Sequence, residues 1–129
     1  SRIGYAESTD GVTMARLDTP VLFPAEDDFK GIEWPGGCED PRVAMTEDGL
    51  YVMLYTSWNR KTPRIAVATS RDLKNWTKHG PAFEKAYDGR FTKIASKSAS
   101  ILTKVKKEKL VIDKVFHVLG RVCCSCSYF

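Results

Sequence analysis

Ten consecutive residues, Glu33-Trp34-Pro35-Gly36-Gly37-Cys38-Glu39-Asp40-Pro41-Arg42, gather the side chains best suited to chemistry. The adjacent carboxylates Glu39 and Asp40 can hold or deliver a proton. Arg42 offers a rigid fork of donors that suits a carboxylate, a phosphate or a pair of sugar hydroxyls. Trp34 can stack on a sugar ring or pack in a core. Pro35-Gly36-Gly37 interrupts any regular element, because proline fixes φ and glycine permits positive φ. Asp40 precedes a proline, which predicts an extended backbone there and a carboxylate on a stiff loop end leading into a strand at Val43. An Asp-Pro-Arg loop also serves as a turn with a local salt bridge, so these residues alone leave a structural role open.

The elements that must hold this stretch are short. The chain has 129 residues, enough for one domain with a modest core, and its 43% hydrophobic content is that of a globular protein. Helical periodicity is weak throughout. Strands are predicted at 2–7, 13–17, 42–45, 50–57, 64–69, 76–78, 99–103 and 109–113. Leu50 to Tyr55 is almost continuously apolar and aromatic, the pattern of a buried strand, and Glu47-Asp48-Gly49 before it signals a tight turn.

Two segments repeat. Arg2 to Asp10 aligns with Arg64 to Asp72 at an offset of 62, with Arg, Ile, Ala, Ser and Asp recurring. A second strand follows each copy, then a proline and apolar residues, at Pro20-Val21-Leu22-Phe23 and Pro81-Ala82-Phe83. Strand, Ser-x-Asp turn and returning strand make a hairpin. Repetition of such a hairpin at a long fixed period is the mark of a β-propeller. Ser8, Asp10, Ser70 and Asp72 are accordingly expected to close turns through their own backbone, with a ligand contact of Asp10 at a blade rim as the alternative.

Charge and cysteine content narrow the partners. Net charge is +4, from 20 basic and 16 acidic residues, and the excess is not gathered in an aromatic-rich stretch, so no nucleic-acid site is expected. The basic run from Lys104 to Lys109 reads as a solvated turn between two strands. No apolar run approaches a membrane span, and Ser1-Arg2-Ile3-Gly4 has neither signal-peptide shape nor an initiator methionine, which points to a fragment boundary. Cys123 and Cys126 have Cys-x-x-Cys spacing, but only Cys38 and Cys124 remain and no second pair exists. No metal is expected, and free thiols in a reducing, cytoplasmic setting are.

Arg2 to Asp10, Pro20 to Leu22, the Gly36-Gly37-Cys38-Glu39-Asp40-Pro41-Arg42 motif and Ala66 to Leu73 resemble glycoside hydrolase family 130, the β-1,4-mannosyl-glucose and mannooligosaccharide phosphorylases. The resemblance implies an all-β, five-bladed propeller, of which about two blades are present here. It implies inverting phosphorolysis of β-mannosides that releases α-mannose 1-phosphate. Asp40 would be the general acid, its proton reaching the glycosidic oxygen through a hydroxyl of the mannose. Arg60, with Asn59 beside it, and Lys97 would bind phosphate, with Arg42 as a further substrate contact; Ala99 stands where the family usually has glycine. Phosphate would be a co-substrate and no cofactor is implied. Arg2 and Arg64 are expected to be structural, and His79 a surface turn residue.

The resemblance covers residues 1–104 as a partial propeller and leaves 105–129 as an atypical tail that reads like an out-of-frame or alternatively spliced ending. An incomplete propeller exposes a sheet edge and a blade face, which implies self-association. Two other functions remain. A propeller glycosidase using water would need a second carboxylate, for which Glu39, Asp27 and Asp28 are available. A non-catalytic remnant would keep only sugar binding.

Overall fold

The computed structural model describes residues 1–113 and, as backbone, 118–122. The cysteines of the tail, Cys123, Cys124 and Cys126, lie outside the described residues. Among the described residues, ten strands and one short helix follow in chain order: β1 (Ala6–Glu7), β2 (Ala15–Arg16), α1 (Lys30–Glu33), β3 (Gly37–Met45), β4 (Tyr51–Trp58), β5 (Arg64–Ser70), β6 (Thr77–Pro81), β7 (Ser96–Ile101), β8 (Thr103–Lys106), β9 (Lys109–Ile112) and β10 (Val118–Val122). β3, β4, β5 and β6 form an antiparallel meander, one complete four-stranded blade. β1 and β2 form a hairpin before it; β7 with β10, and β8 with β9, form a hairpin after it. A single parallel pairing, Met45 with Val111, joins β3 to β9.

The repeat is visible in the pairing. Ala6 faces Arg16 and Glu7 faces Ala15; 62 residues later Ala68 faces Lys78 and Thr69 faces Thr77. The turns match bond for bond. Asp10 Oδ1 accepts the amides of Val12 (2.9 Å) and Thr13 (2.7 Å), and Asp72 Oδ1 accepts those of Lys74 (2.9 Å) and Asn75 (2.7 Å). Ser8 and Ser70 donate to those same carboxylates, at 2.8 and 3.0 Å. Both aspartates thus have the structural role expected of them.

These bonds hold both carboxyls well below the ordinary value near 3.8, chiefly through the amide of Thr13 for Asp10 and of Asn75 for Asp72. A depressed folded-state pKa adds stability that is present above the unfolded value and is lost as pH falls through the folded one. Asp10→Asn/Asp72→Asn keeps an accepting oxygen but no titrating charge. It is expected to flatten the fall in stability below about pH 4. Denaturant melts across the acid range measure this; equal acid slopes for the two proteins would show that the turns do not contribute.

The blade is covered on both faces, which explains the unbroken apolar run of β4. On one face Met53 and Tyr55 pack with Ile3, Leu22, Cys38, Ala66 and Ala68. On the other Leu54 packs with Ile65 and Ala99, flanked by Val67, Phe83 and Ile101. The first face is therefore closed by the segment before the blade and the second by the strand after it. The expected turn in the basic run lies at Lys107-Glu108, between β8 and β9.

One local expectation fails. β3 begins at Gly37, not near Val43, so the motif is strand rather than loop. Asp40 is not extended: its φ is 51°, in the left-handed region. The register explains why. Glu39 faces Thr56 and Arg42 faces Leu54, so Asp40 and Pro41 together oppose the single residue Tyr55. That is a β-bulge, and it absorbs a proline that has no amide to give the ladder. Aspartate tolerates the left-handed region better than most residues.

Candidate active site

The bulge re-aims Asp40 away from the ladder and leaves it exposed. A shallow cavity of about 430 Å³ opens beside it, walled by Arg2, Gly4, Glu39, Asp40 and Pro41. Lys97, from β7 of the following hairpin, reaches across to both carboxylates, 3.5 Å from Asp40 Oδ2 and 3.4 Å from Glu39 Oε2. Ser1 Oγ donates to Glu39 Oε1 at 2.9 Å. The Lys97 side chain is 49% exposed, so these ion pairs add little to stability, about 0–1 kcal/mol. They do place a half-exposed cation where an anionic group could compete for it.

The other expected residues are distributed as follows. Arg42 follows the bulge and donates from Nη1 to the Pro41 carbonyl at 3.0 Å. Asn59 closes the β4–β5 turn: Oδ1 accepts the amides of Lys61 and Thr62, each at 3.0 Å, and Nδ2 donates to the Gly31 carbonyl at 3.1 Å. Arg60 sits exposed on that turn with φ of 63°. Asp40 and Lys97 are thus brought into contact. Asn59 and Arg60 lie at the β4 end that pairs with the start of β3. Arg64 is structural as expected, donating from Nε to the Thr92 carbonyl at 2.9 Å. Its repeat counterpart Arg2 lies exposed at the cavity and stacks over the Phe23 ring at 5.8 Å. His79 is exposed on β6, against the Thr69 hydroxyl at 2.7 Å, rather than in a turn.

A buried polar cluster stands behind the motif. Glu33, at the end of α1, is fully buried. Its Oε1 accepts the Tyr55 hydroxyl at 2.7 Å and its Oε2 accepts Lys78 Nζ at 2.6 Å. Lys78 also donates to Asp27 Oδ2 and to the Phe23 carbonyl, both at 2.8 Å. Burial, and then the Glu33 carboxylate, push the Tyr55 hydroxyl far up and the Cys38 thiol up to about 12. Both stay protonated at neutral pH. Burial pulls the Lys78 ammonium down, but Asp27 and Glu33 outweigh it and the net shift is upward. The sequence holds no signal for this cluster, because a lysine on an alternating strand and a glutamate before a turn look like surface residues.

The glycines hold the motif close to its neighbours. A Cβ at Gly36 would strike the Trp58 ring and carbonyl, and one at Gly37, where φ is 129°, would strike Ser1. Gly36→Ala is expected to cost at least about 1–3 kcal/mol, the range for overpacking, since one of the clashing atoms is backbone. A denaturant midpoint unchanged from wild type would show that Trp58 moves aside freely.

The repeated hairpins and blade make the chain a stretch of β-propeller, with a carboxylate displayed on a strand bulge. It belongs to glycoside hydrolase family 130: the family model, described as beta-1,4-mannooligosaccharide phosphorylase, matches residues 1–127. The chain is 37% identical over 89 residues to a 1,2-beta-oligomannan phosphorylase of Thermoanaerobacter sp. (strain X514), covering 66% of this chain and 28% of that protein. It superposes on a glycoside hydrolase structure from Bacteroides ovatus with a TM-score of 0.89 and 71% identity, covering 92% of this chain and 36% of that one. A second structure, from work on GH130 hydrolases that target β-1,2 mannosidic linkages in Candida mannan, gives 0.87 and 56% over 92% and 36% of the two chains. The chain therefore spans about a third of its solved relatives' length.

Proposed function

We propose that these residues form the acid-bearing part of an enzyme that phosphorolyses β-mannosides with inversion, releasing α-mannose 1-phosphate. The observation that carries the reading is Asp40, set in the bulge with Lys97 at 3.5 Å. Asp40 donates the proton that the leaving glycosidic oxygen needs, relayed by a mannose hydroxyl. Lys97, Arg60 and Arg42, with Asn59, attract the phosphate; Lys97 exchanges its carboxylate partners for it. One enzymic carboxylate then suffices, because phosphate is the nucleophile and needs no second group to activate it. Phosphate is a co-substrate and no organic cofactor takes part. The names of the relatives favour β-1,2-linked substrates.

Hydrolysis is the second reading, favoured because the structure from work on GH130 hydrolases is 56% identical to this chain against 37% for the phosphorylase. It would draw on Asp28, or on Glu39, whose partner Lys97 is half-exposed, since Asp27 is held by the buried Lys78. Incubation with β-1,2-mannobiose and with its β-1,4 isomer, each with and without phosphate, separates the two. Phosphate-dependent mannose 1-phosphate supports the proposal; mannose released without phosphate replaces it with hydrolysis. No product from either would mean that this stretch of chain does not suffice for turnover.

A further inference from the structure

We infer that the buried carboxylate of Glu33 is a positioning residue for Asp40: bonded to both strands beside the bulge, it holds the register in which the extra residue, and so the acid, stands out. The catalytic part of this inference rests on the role proposed for Asp40; the structural part does not.

Glu33 gathers the segments around the bulge and is fully buried. Its Oε1 accepts the Tyr55 hydroxyl at 2.7 Å, and Tyr55 is the residue that Asp40 and Pro41 together oppose. The Cys38 thiol, two residues before Asp40, also bonds Glu33. Oε2 accepts Lys78 Nζ, from β6, at 2.6 Å.

Register gives these bonds their meaning. With the bulge, Cys38 faces Ser57 and shares a core face with Met53 and Tyr55. Closing the bulge while Arg42 stays opposite Leu54 would set Pro41 against Tyr55, Asp40 against Thr56 and Cys38 against Trp58. Such a one-residue slip turns every side chain of the slipped segment to the other face. Cys38 would leave Glu33, and the charged Glu39 would face the fully buried Ser57. The bonds from Cys38 and Tyr55 to one carboxylate are therefore made together in the bulged register and broken in the regular one.

The later bulge shows that a kink forms without such a cluster. Ser98 and Ala99 together oppose Gly120, and Ser98 has φ of 60°. Seven residues before Ser98 stands Phe91, where Glu33 stands before Asp40. The buried acid accompanies the copy that carries Asp40. A buried ion pair adds little stability over apolar residues of the same volume, and its best attested use is to fix one register.

The test replaces the whole cluster, so that no charge is stranded: Glu33→Met/Tyr55→Phe/Lys78→Met. Its denaturant midpoint is expected to stay near that of the wild type. The change is expected at Asp40. A positive φ brings an amide hydrogen close to its own Hα, so wild-type Asp40, at 51°, gives a strong intraresidue nuclear Overhauser peak. In the variant that peak is expected to weaken, and the amides of 37–39 to exchange at least about tenfold faster while those of β4 and β5 do not. Turnover of β-1,2-mannobiose is expected to fall about 10²-fold, the effect of misplacing a catalytic group by about 1 Å. Turnover of a mannoside with a good leaving group is expected to fall less. An unchanged peak and exchange at 37–40 would overturn the inference. So would a uniform rise in exchange across the blade, which marks a general loss of stability. If the triple variant does not fold, Tyr55→Phe, which keeps the ring in the core, is read in the same way. A wild type without turnover would count against the proposed function alone, and the Asp40 peak would still decide the role of Glu33.

Discussion

Lys78→Met is expected to destabilise the chain by about 3–5 kcal/mol, because removing one partner of a buried ion pair strands the other's charge. The stranded group is Glu33, whose carboxylate has no exposure and would keep only neutral donors, the Tyr55 hydroxyl and the Cys38 thiol. Methionine preserves the length of the lysine stem, so lost packing contributes little. Lys78→Met/Glu33→Gln is expected to recover part of the loss, since it removes the stranded charge. Denaturant melts of the wild type, both single variants and the double variant give the coupling directly. Near-additive losses would mean that the two side chains do not stabilise each other. The pH dependence has a definite sign. The Lys78 pKa is raised on folding, so its contribution is full below the ordinary value of 10.5 and is lost as pH climbs through the folded one.

Asp40→Asn is expected to lower turnover by about 10²–10⁴-fold, the usual contribution of a positioned general acid. The substitution is a clean one here. Position 40 has φ of 51°, and asparagine adopts that conformation readily, so the bulge is retained. Alanine would combine loss of the acid with backbone strain. A substrate with a good leaving group needs less protonation, and its cleavage is expected to fall much less than that of mannobiose. Equal losses for both substrates would assign Asp40 to binding, and full activity would remove it from the mechanism. Protein stability is expected to change little, because the ion pairs of Asp40 and Glu39 with Lys97 are partly exposed.

The sequence made the repeat legible because turn chemistry is local. Ser8, Asp10, Ser70 and Asp72 bond amides two or three residues away, so their spacing reveals the hairpin without any tertiary knowledge. The buried run of β4 was legible for a similar reason: a sheet covered on both faces needs apolar residues at every position. The conformation of Asp40 was not. The residue before a proline is usually extended, and only the partner strand shows that two residues must oppose Tyr55. The contact of Lys97 with Asp40 joins two separate hairpins, so no local pattern encodes it; the family resemblance, through two different segments, brought both residues forward. Arg2 and Arg64 are alike in sequence and differ in use, because Thr92 lies beside one and the Asp40 cavity beside the other. The Glu33–Lys78 pair stayed hidden, since charged residues are expected outside and only tertiary packing shows these to be inside.

The left-handed kink that presents Asp40 recurs one blade later at Ser98. The scaffold thus manufactures the same pedestal at the start of successive blades and leaves its top side chain free to vary. A carboxylate at this place needs no loop of its own, only an aspartate on a bulge that carries serine in the later copy. By the same logic Ser98→Asp would set a second carboxylate on an existing pedestal, which makes the blade start a natural position for redesigning what this surface can do.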